Sequence, residues 1–230
     1  MLVRPTTAVW LVTFVIFSAP VIGQEEAAQE AKIPKQPIDL FNGEDLAGWS
    51  FDSLDTEDIS AIYTVEDGLL KVSGNPRGVL RTQANYRDYE IELQWRWPAR
   101  PGNSGLLVHC SKPRERNIWP KSLEVQLQSG AAGDFWMIGE YIDVENREDR
   151  LRRGRNLPNM TDDSENPVGE WNTMVCQLRG DTIRVTVNGE LVNVGWGLST
   201  SSGAICLQSE GAAIEFRKLQ IRPLPEQEPE

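Results

Sequence analysis

Histidine and cysteine are scarce in this sequence: one histidine, His109, and three cysteines, Cys110, Cys176 and Cys206, among 230 residues. Three widely spaced cysteines exclude a disulfide framework, and their odd number leaves at least one thiol unpaired within the chain. A single histidine without a CxxC pattern excludes the multi-His and multi-Cys signatures of a zinc site. Basic side chains are also outnumbered, 23 Lys and Arg against 34 Asp and Glu. The resulting net charge of −11 excludes a general nucleic-acid or acidic-membrane binder. Long amphipathic helices are missing too; Glu148 to Arg153 offers a single turn.

What is present begins with an apolar run from Ala8 to Phe17 behind Arg4, followed by the small residues Val21 and Gly23. This pattern predicts a secretory signal over residues 1–23 and an exported product, periplasmic or secreted. The run is about half the ~20 residues a spanning helix needs, and no later stretch is comparably apolar, so no stable membrane anchor is expected. Residues 24–36 read as a solvated linker, 37–223 as one domain, and the Pro- and Glu-rich 224–230 as a disordered tail.

Between these ends the period-two signal dominates. In Tyr89 to Trp97 the residues Ile91, Leu93, Trp95 and Trp97 alternate with Glu90, Glu92, Gln94 and Arg96. Asn188-Gly189 and Asp67-Gly68, each between alternating runs, predict two-residue hairpins, because these turn residues tolerate positive φ. Further strands are expected over 104–110, 123–128, 171–179, 203–208 and 214–222. The pattern predicts an all-β, antiparallel two-sheet sandwich.

The chemistry concentrates between Gly102 and Gly139. Leu123, Val125 and Leu127 alternate with Glu124, Gln126 and Gln128, giving a strand with one apolar and one polar face. Trp119 and Lys121 precede it, Asp134 and Trp136 follow it, and His109 lies on the strand before. Aromatic rings beside amide and carboxylate side chains suit a sugar, which offers C–H faces to stack and hydroxyls to hydrogen-bond. A plain solvated sheet face is the competing reading.

Ordered motifs along the chain carry a resemblance: LFNGEDLAGW at 40–49, DGLLKV at 67–72, YEIELQWRW at 89–97, GNSGLL at 102–107, EVQL at 124–127, GEWN at 169–172, VNGELV at 187–192 and LQSEGAAIEFRKLQI at 207–221. The domain resembles the 3-keto-disaccharide hydrolase family, which implies a concanavalin-like jelly roll. It also implies a substrate whose 3-hydroxyl a sugar 3-dehydrogenase has already oxidised to a ketone, which acidifies the C2 proton. A base could then remove that proton and expel the C1 leaving group, and water could add back.

For this route the sequence offers Glu124 or His109 as the base and Lys121 or a bound divalent metal as the electrophile facing the ketone oxygen. Trp119 and Trp136 would stack the sugar, with Asn103, Ser104, Gln126, Gln128, Asp134, Gln208 and Glu210 binding it. A retaining glycosidase on this strand is excluded, because Gln126 and Gln128 stand where a second carboxylate is needed. A non-catalytic carbohydrate-binding domain is the alternative. The five arginines in 147–155 read as a solvated, internally paired loop, and Asp162 to Glu165 as a solvated acidic loop.

Overall fold

The computed structural model describes residues 30–161 and 164–226. In chain order the strands are β1 (Ile38–Asp39), β2 (Trp49–Asp52), β3 (Tyr63–Glu66), β4 (Leu69–Val72), β5 (Gly78–Thr82), β6 (Tyr89–Arg96), β7 (Gly105–Cys110) and β8 (Ser122–Gln126). They continue with β9 (Phe135–Ile138), β10 (Asn156–Leu157), β11 (Asn172–Arg179), β12 (Thr182–Val187), β13 (Glu190–Gly195), β14 (Ala204–Ser209) and β15 (Ile214–Pro223). One sheet runs β13-β12-β11-β6-β15-β4-β3, with β1 also on β15; the other runs β10-β9-β8-β7-β14-β5-β2. All ladders between these strands are antiparallel, so the expected two-sheet sandwich is observed.

Alternation explains the core. Ile91, Leu93 and Trp95 of β6 point at Leu106 and Val108 of β7 and Leu123 and Val125 of β8, and all are buried in one apolar cluster. Their intervening neighbours face outward. Both hairpins turn as the sequence predicts: Asp67 and Gly68 have φ of 54° and 75°, Asn188 and Gly189 of 50° and 86°. The turn expected over Glu148 to Arg153 is observed as α1 (Arg147–Arg150), and Ile59–Ala61 forms a further turn of 3-10 helix.

Departures have local causes. β8 stops at Gln126 instead of Gln128: Leu127 still donates to the Ser104 carbonyl (2.9 Å), but towards β9 the chain turns, with Gly133 donating to the Gln126 carbonyl (2.8 Å) and Ala131 to that of Gln128 (2.9 Å), while the Gln126 carboxamide oxygen accepts from the Leu127 and Gln128 amides. β5 (GVLRT) and β9 (FWMI) lack a clean alternation and β2 (WSFD) alternates over only four residues, and none of the three was expected. Residues 30–36 of the expected linker are tied to the domain: Lys32 exchanges backbone hydrogen bonds with Asn85 and Arg87, and Pro34 is buried. The signal segment, residues 24–29, the acidic pair 162–163 and the tail beyond 226 lie outside the described residues. Among the described residues no helix is long and apolar enough to cross a membrane. All three cysteines are free and buried.

The seven-stranded sheet has a second layer on its outer face. Val79, Leu107, Cys110, Ile118, Ile138, Ala204 and Cys206 form a small apolar cluster with Trp119 packed against it. The polar face of β8 is therefore not an ordinary solvated surface: Glu124 and Gln126 are 6% and 3% exposed.

Candidate functional site

Register places Glu124 between Leu107 of β7 and Trp136 of β9 on the outer face. One strand further, β14 carries Gln208, and Glu210 follows just past its end. Gly105 makes room where these side chains meet, since a Cβ there would lie 2.7 Å from Gln208 Oε1 and 2.8 Å from Glu124 Oε1. The Gln208 side chain hydrogen-bonds Glu124, while its own Oε1 is buried without a donor. Asn103 Nδ2 donates to Glu210 Oε2 (2.9 Å), and Asn103 Oδ1 is likewise buried and unpartnered. Orphaned buried acceptors are costly, so their presence here points to a ligand that donates.

Burial is the main force on Glu124, and the Glu210 charge adds to it; together they push the carboxyl up to about 8, against the pull of Arg155 and Gln208. Burial raises Glu210 as well, opposed by Arg77 and Arg155. Two cations therefore serve this site: Arg77, 3.9 Å from Glu210, and Arg155. Arg155 follows the tight turn at Arg153 and Gly154 (φ of 51° and 68°) and its guanidinium lies 4.5 Å over the Trp136 ring. Sequence reasoning passed it over within the arginine-rich loop. The available signal was its place one residue before the Asn156–Leu157 strand, which pairs with Trp136.

The structure brings together Glu124, Asn103, Gln208, Glu210 and Trp136 of the expected set. Gln128 is exposed and borders an adjoining shallow cleft of about 420 Å³ with Asn103, Ser129 and Gly211. Other candidates are engaged elsewhere. Lys121 pairs with Glu140 (3.5 Å), which also accepts from Ser199 and from Thr200 (2.6 Å). His109 has φ of 54° and turns into the sandwich, edge-on to Tyr89 of the facing sheet at 5.8 Å, with Nδ1 2.9 Å from the Thr200 carbonyl. Burial lowers its pKa to about 4, so it is a neutral interior group. Gln126 Oε1 serves its own strand end, as described above. Asp134 is held by the Asn159 amide (2.7 Å) and Asn156 Nδ2 (3.1 Å), and Ser104 Oγ donates to the Gln208 carbonyl (2.8 Å). Trp119 packs on the outer apolar cluster. Among the described residues no three His, Cys, Asp or Glu side chains converge on a metal position.

Comparison with solved structures agrees with this architecture. The chain superimposes on a protein described as a glycosyl hydrolase from Parabacteroides distasonis ATCC 8503 with a TM-score of 0.61 and 24% identity, covering 83% of this chain and 94% of that one. A κ-carrageenase from Pseudoalteromonas carrageenovora, in complex with an oligotetrasaccharide of κ-carrageenan, gives 0.54 and 15%, with 87% and 98% covered. A carbohydrate-binding module from Bacillus subtilis gives 0.53 and 11%, with 75% and 94% covered. At such identities the likeness concerns the fold, of the concanavalin-like type. No curated protein matches the sequence. A family model does match, over residues 36–222, and it is the family that the ordered motifs resemble: the chain belongs to the 3-keto-α-glucoside-1,2-lyase-like domains.

Proposed function

We propose that this carbohydrate-active family member is an exported enzyme that cleaves 3-keto-glycosides by elimination, with Glu124 as the base. The observation carrying the assignment is a buried carboxyl, raised to about 8, facing outward beside a cation, a second carboxyl and two unpartnered carboxamide oxygens. A proton alpha to a ketone needs one base of matched strength and a stabiliser for the enolate oxygen.

In this reading Asn103 Oδ1 and Gln208 Oε1 accept sugar hydroxyl protons. Glu124 removes the C2 proton, and the C–H electrons form the C2–C3 double bond of an enolate whose oxygen Arg155 stabilises. Collapse of the enolate restores the ketone, forms the C1–C2 double bond and breaks the bond from C1 to the leaving oxygen. The proton that Glu124 took from C2 passes to that oxygen, which balances the elimination and returns the base to its ionised form. Addition of water across C1–C2 completes net hydrolysis.

The test incubates the protein with 3-keto-glucosides and their unoxidised parents, with and without chelator. Cleavage of the keto sugars alone, with Glu124→Gln losing about 100-fold or more, is the expected result. Cleavage of the parents alone, or full activity in Glu124→Gln, would overturn it. Ligand binding without turnover would favour a carbohydrate-binding domain.

A further inference from the structure

We infer that the reacting sugar is a terminal unit that enters the site end-on, and that the cleft at Asn103, Gln128 and Ser129 holds the next sugar, joined through the C1 oxygen. The inference rests on reading the Glu124 face as a sugar site, but not on the elimination chemistry.

Strand register shows which directions are open. Side chains of directly paired residues share a face, so the row that crosses the sheet from Glu124 towards β2 runs through Leu107, Cys206 and Arg81. That way is covered. Leu107, Cys206 and Val79 are buried in one cluster with Ile118 and Trp119, which belong to residues 111–121, the connection from β7 to β8. This connection is a fixed strap. Its base is closed by backbone hydrogen bonds from Ser111 to Lys121 (3.0 Å) and from Lys121 to Lys112 (2.7 Å). On one side Arg114 grips Asp52 of β2 through two nitrogens at 2.6 and 3.0 Å. On the other, Glu115 lies against Gly139 just past β9, where a Cβ would come within 2.7 Å of the Glu115 Cγ. Between the strap and β2 a cavity of about 170 Å³ remains. In the opposite direction across the sheet, the Arg155 guanidinium lies 4.5 Å over the Trp136 ring.

Along the strands the face opens. The next rows bring Gly105 beside Gln208 and then Asn103 opposite Glu210, and Asn103 also lines the cleft of about 420 Å³. Small-ligand sites span ~300–1,000 Å³. Asn103 joins the two regions, since its Nδ2 donates to Glu210 at 2.9 Å. The cleft walls are tied together by Ser129, whose amide donates to the Gly102 carbonyl (3.1 Å), and by Arg100, which donates to that of Gly211 (3.3 Å). Among the described residues, the Gln128 and Ser129 side chains have no hydrogen-bond partner and no aromatic ring lines the cleft. Amide and hydroxyl groups without a stacking ring suit a hydroxylated unit better than an aryl one. A non-reducing terminal sugar is joined to its chain through C1 alone. A site walled across the sheet and open along the strands therefore admits such a unit and sends its C1 substituent into the cleft.

Calorimetric titration with methyl and 4-nitrophenyl glucosides of both anomers, maltose and cellobiose tests the cleft without any chemistry; the 3-keto forms are titrated into Glu124→Gln. At least one disaccharide is expected to bind about tenfold tighter than the methyl and nitrophenyl glucosides. Arg100→Ala/Gln128→Ala, both at exposed positions, should remove that preference. A 4,6-benzylidene cap on the terminal ring of the preferred disaccharide tests the direction of entry, and should weaken binding about tenfold or more. No preference for either disaccharide, a preference that survives in the double variant, or equal binding of capped and free disaccharide would each overturn the inference. Cleavage of 3-keto-glycosides without these preferences would sink it while leaving elimination intact. Both preferences with no cleavage of any 3-keto-glycoside would do the reverse.

Discussion

Replacing Glu124 with Gln should stabilise the protein in a pH-dependent way while abolishing turnover. An ordinary Glu loses its proton near 4.5, whereas the buried Glu124 keeps it to about 8. Between those values the folded state binds more protons than the unfolded chain, so stability falls as pH rises through the window. At about 1.4 kcal/mol per pH unit, the penalty is near zero below pH 4.5, about 3 kcal/mol at pH 7 and about 5 kcal/mol well above pH 8. Gln fills the same space, can still bond Gln208 and carries no such penalty. Urea or thermal unfolding of both proteins at pH 4, 7 and 9 should give curves that coincide in acid and diverge upward for the variant. A chain of this size converts each kcal/mol into roughly 2–4 °C, so the midpoints should separate by about 6–12 °C at neutral pH. Parallel pH dependences of wild type and variant would refute the burial argument, and with it the case for Glu124 as a tuned base.

Gly105→Ala should cost about 100-fold in cleavage of a 3-keto-glucoside while the protein still folds, because its Cβ meets side chains and no backbone, pushing aside Gln208 Oε1 and the Glu124 side chain from Cγ (3.0 Å) outward; loss of the cooperative unfolding transition would contradict this. Glu210→Gln removes the negative charge that raises Glu124, so the rising limb of the pH–rate profile should move to lower pH; an unmoved limb excludes the coupling. His109 is lowered from 6.5 to about 4, so the unfolded chain binds the extra proton and stability is lost as pH falls through that window, by about 3 kcal/mol at pH 4. His109→Gln should flatten this acid slope and leave cleavage of a neutral substrate intact, whereas lost turnover in a stable variant would return His109 to the reaction.

Strands with clean alternation were legible, and so were the hairpins, because both are local: Tyr89 to Trp97 and Asn188-Gly189 carry their signal within a few residues. Glu124 was legible for the same reason. Arg155 was not, since it comes from a turn after α1 and reaches Trp136 only because β10 pairs with β9. His109 misled because parity assumes an unbroken strand. Its positive φ, beside the register shift between Ala204 and Cys206, turns the ring inward. Lys121 misled through proximity in sequence alone. Counted along the strand it shares the parity of Leu123 and Val125, the core side, and its amine goes to Glu140 instead.

Gln208 shows why this face suits proton transfer better than passive binding. A carboxyl that takes a proton and later gives it back must be accommodated in both states, and a buried group seldom has partners for both. The Gln208 carboxamide has a donor for the ionised form, which lowers the pKa of Glu124. It also has an acceptor, Oε1, left without a donor among the protein's own groups. The neutral carboxyl can supply the missing O–H, as can a sugar hydroxyl once Glu124 has ionised. One amide can therefore accompany the base through both halves of a proton transfer, and replacing Gln208 with Glu, which alters this partnership, should slow turnover more than it weakens sugar binding.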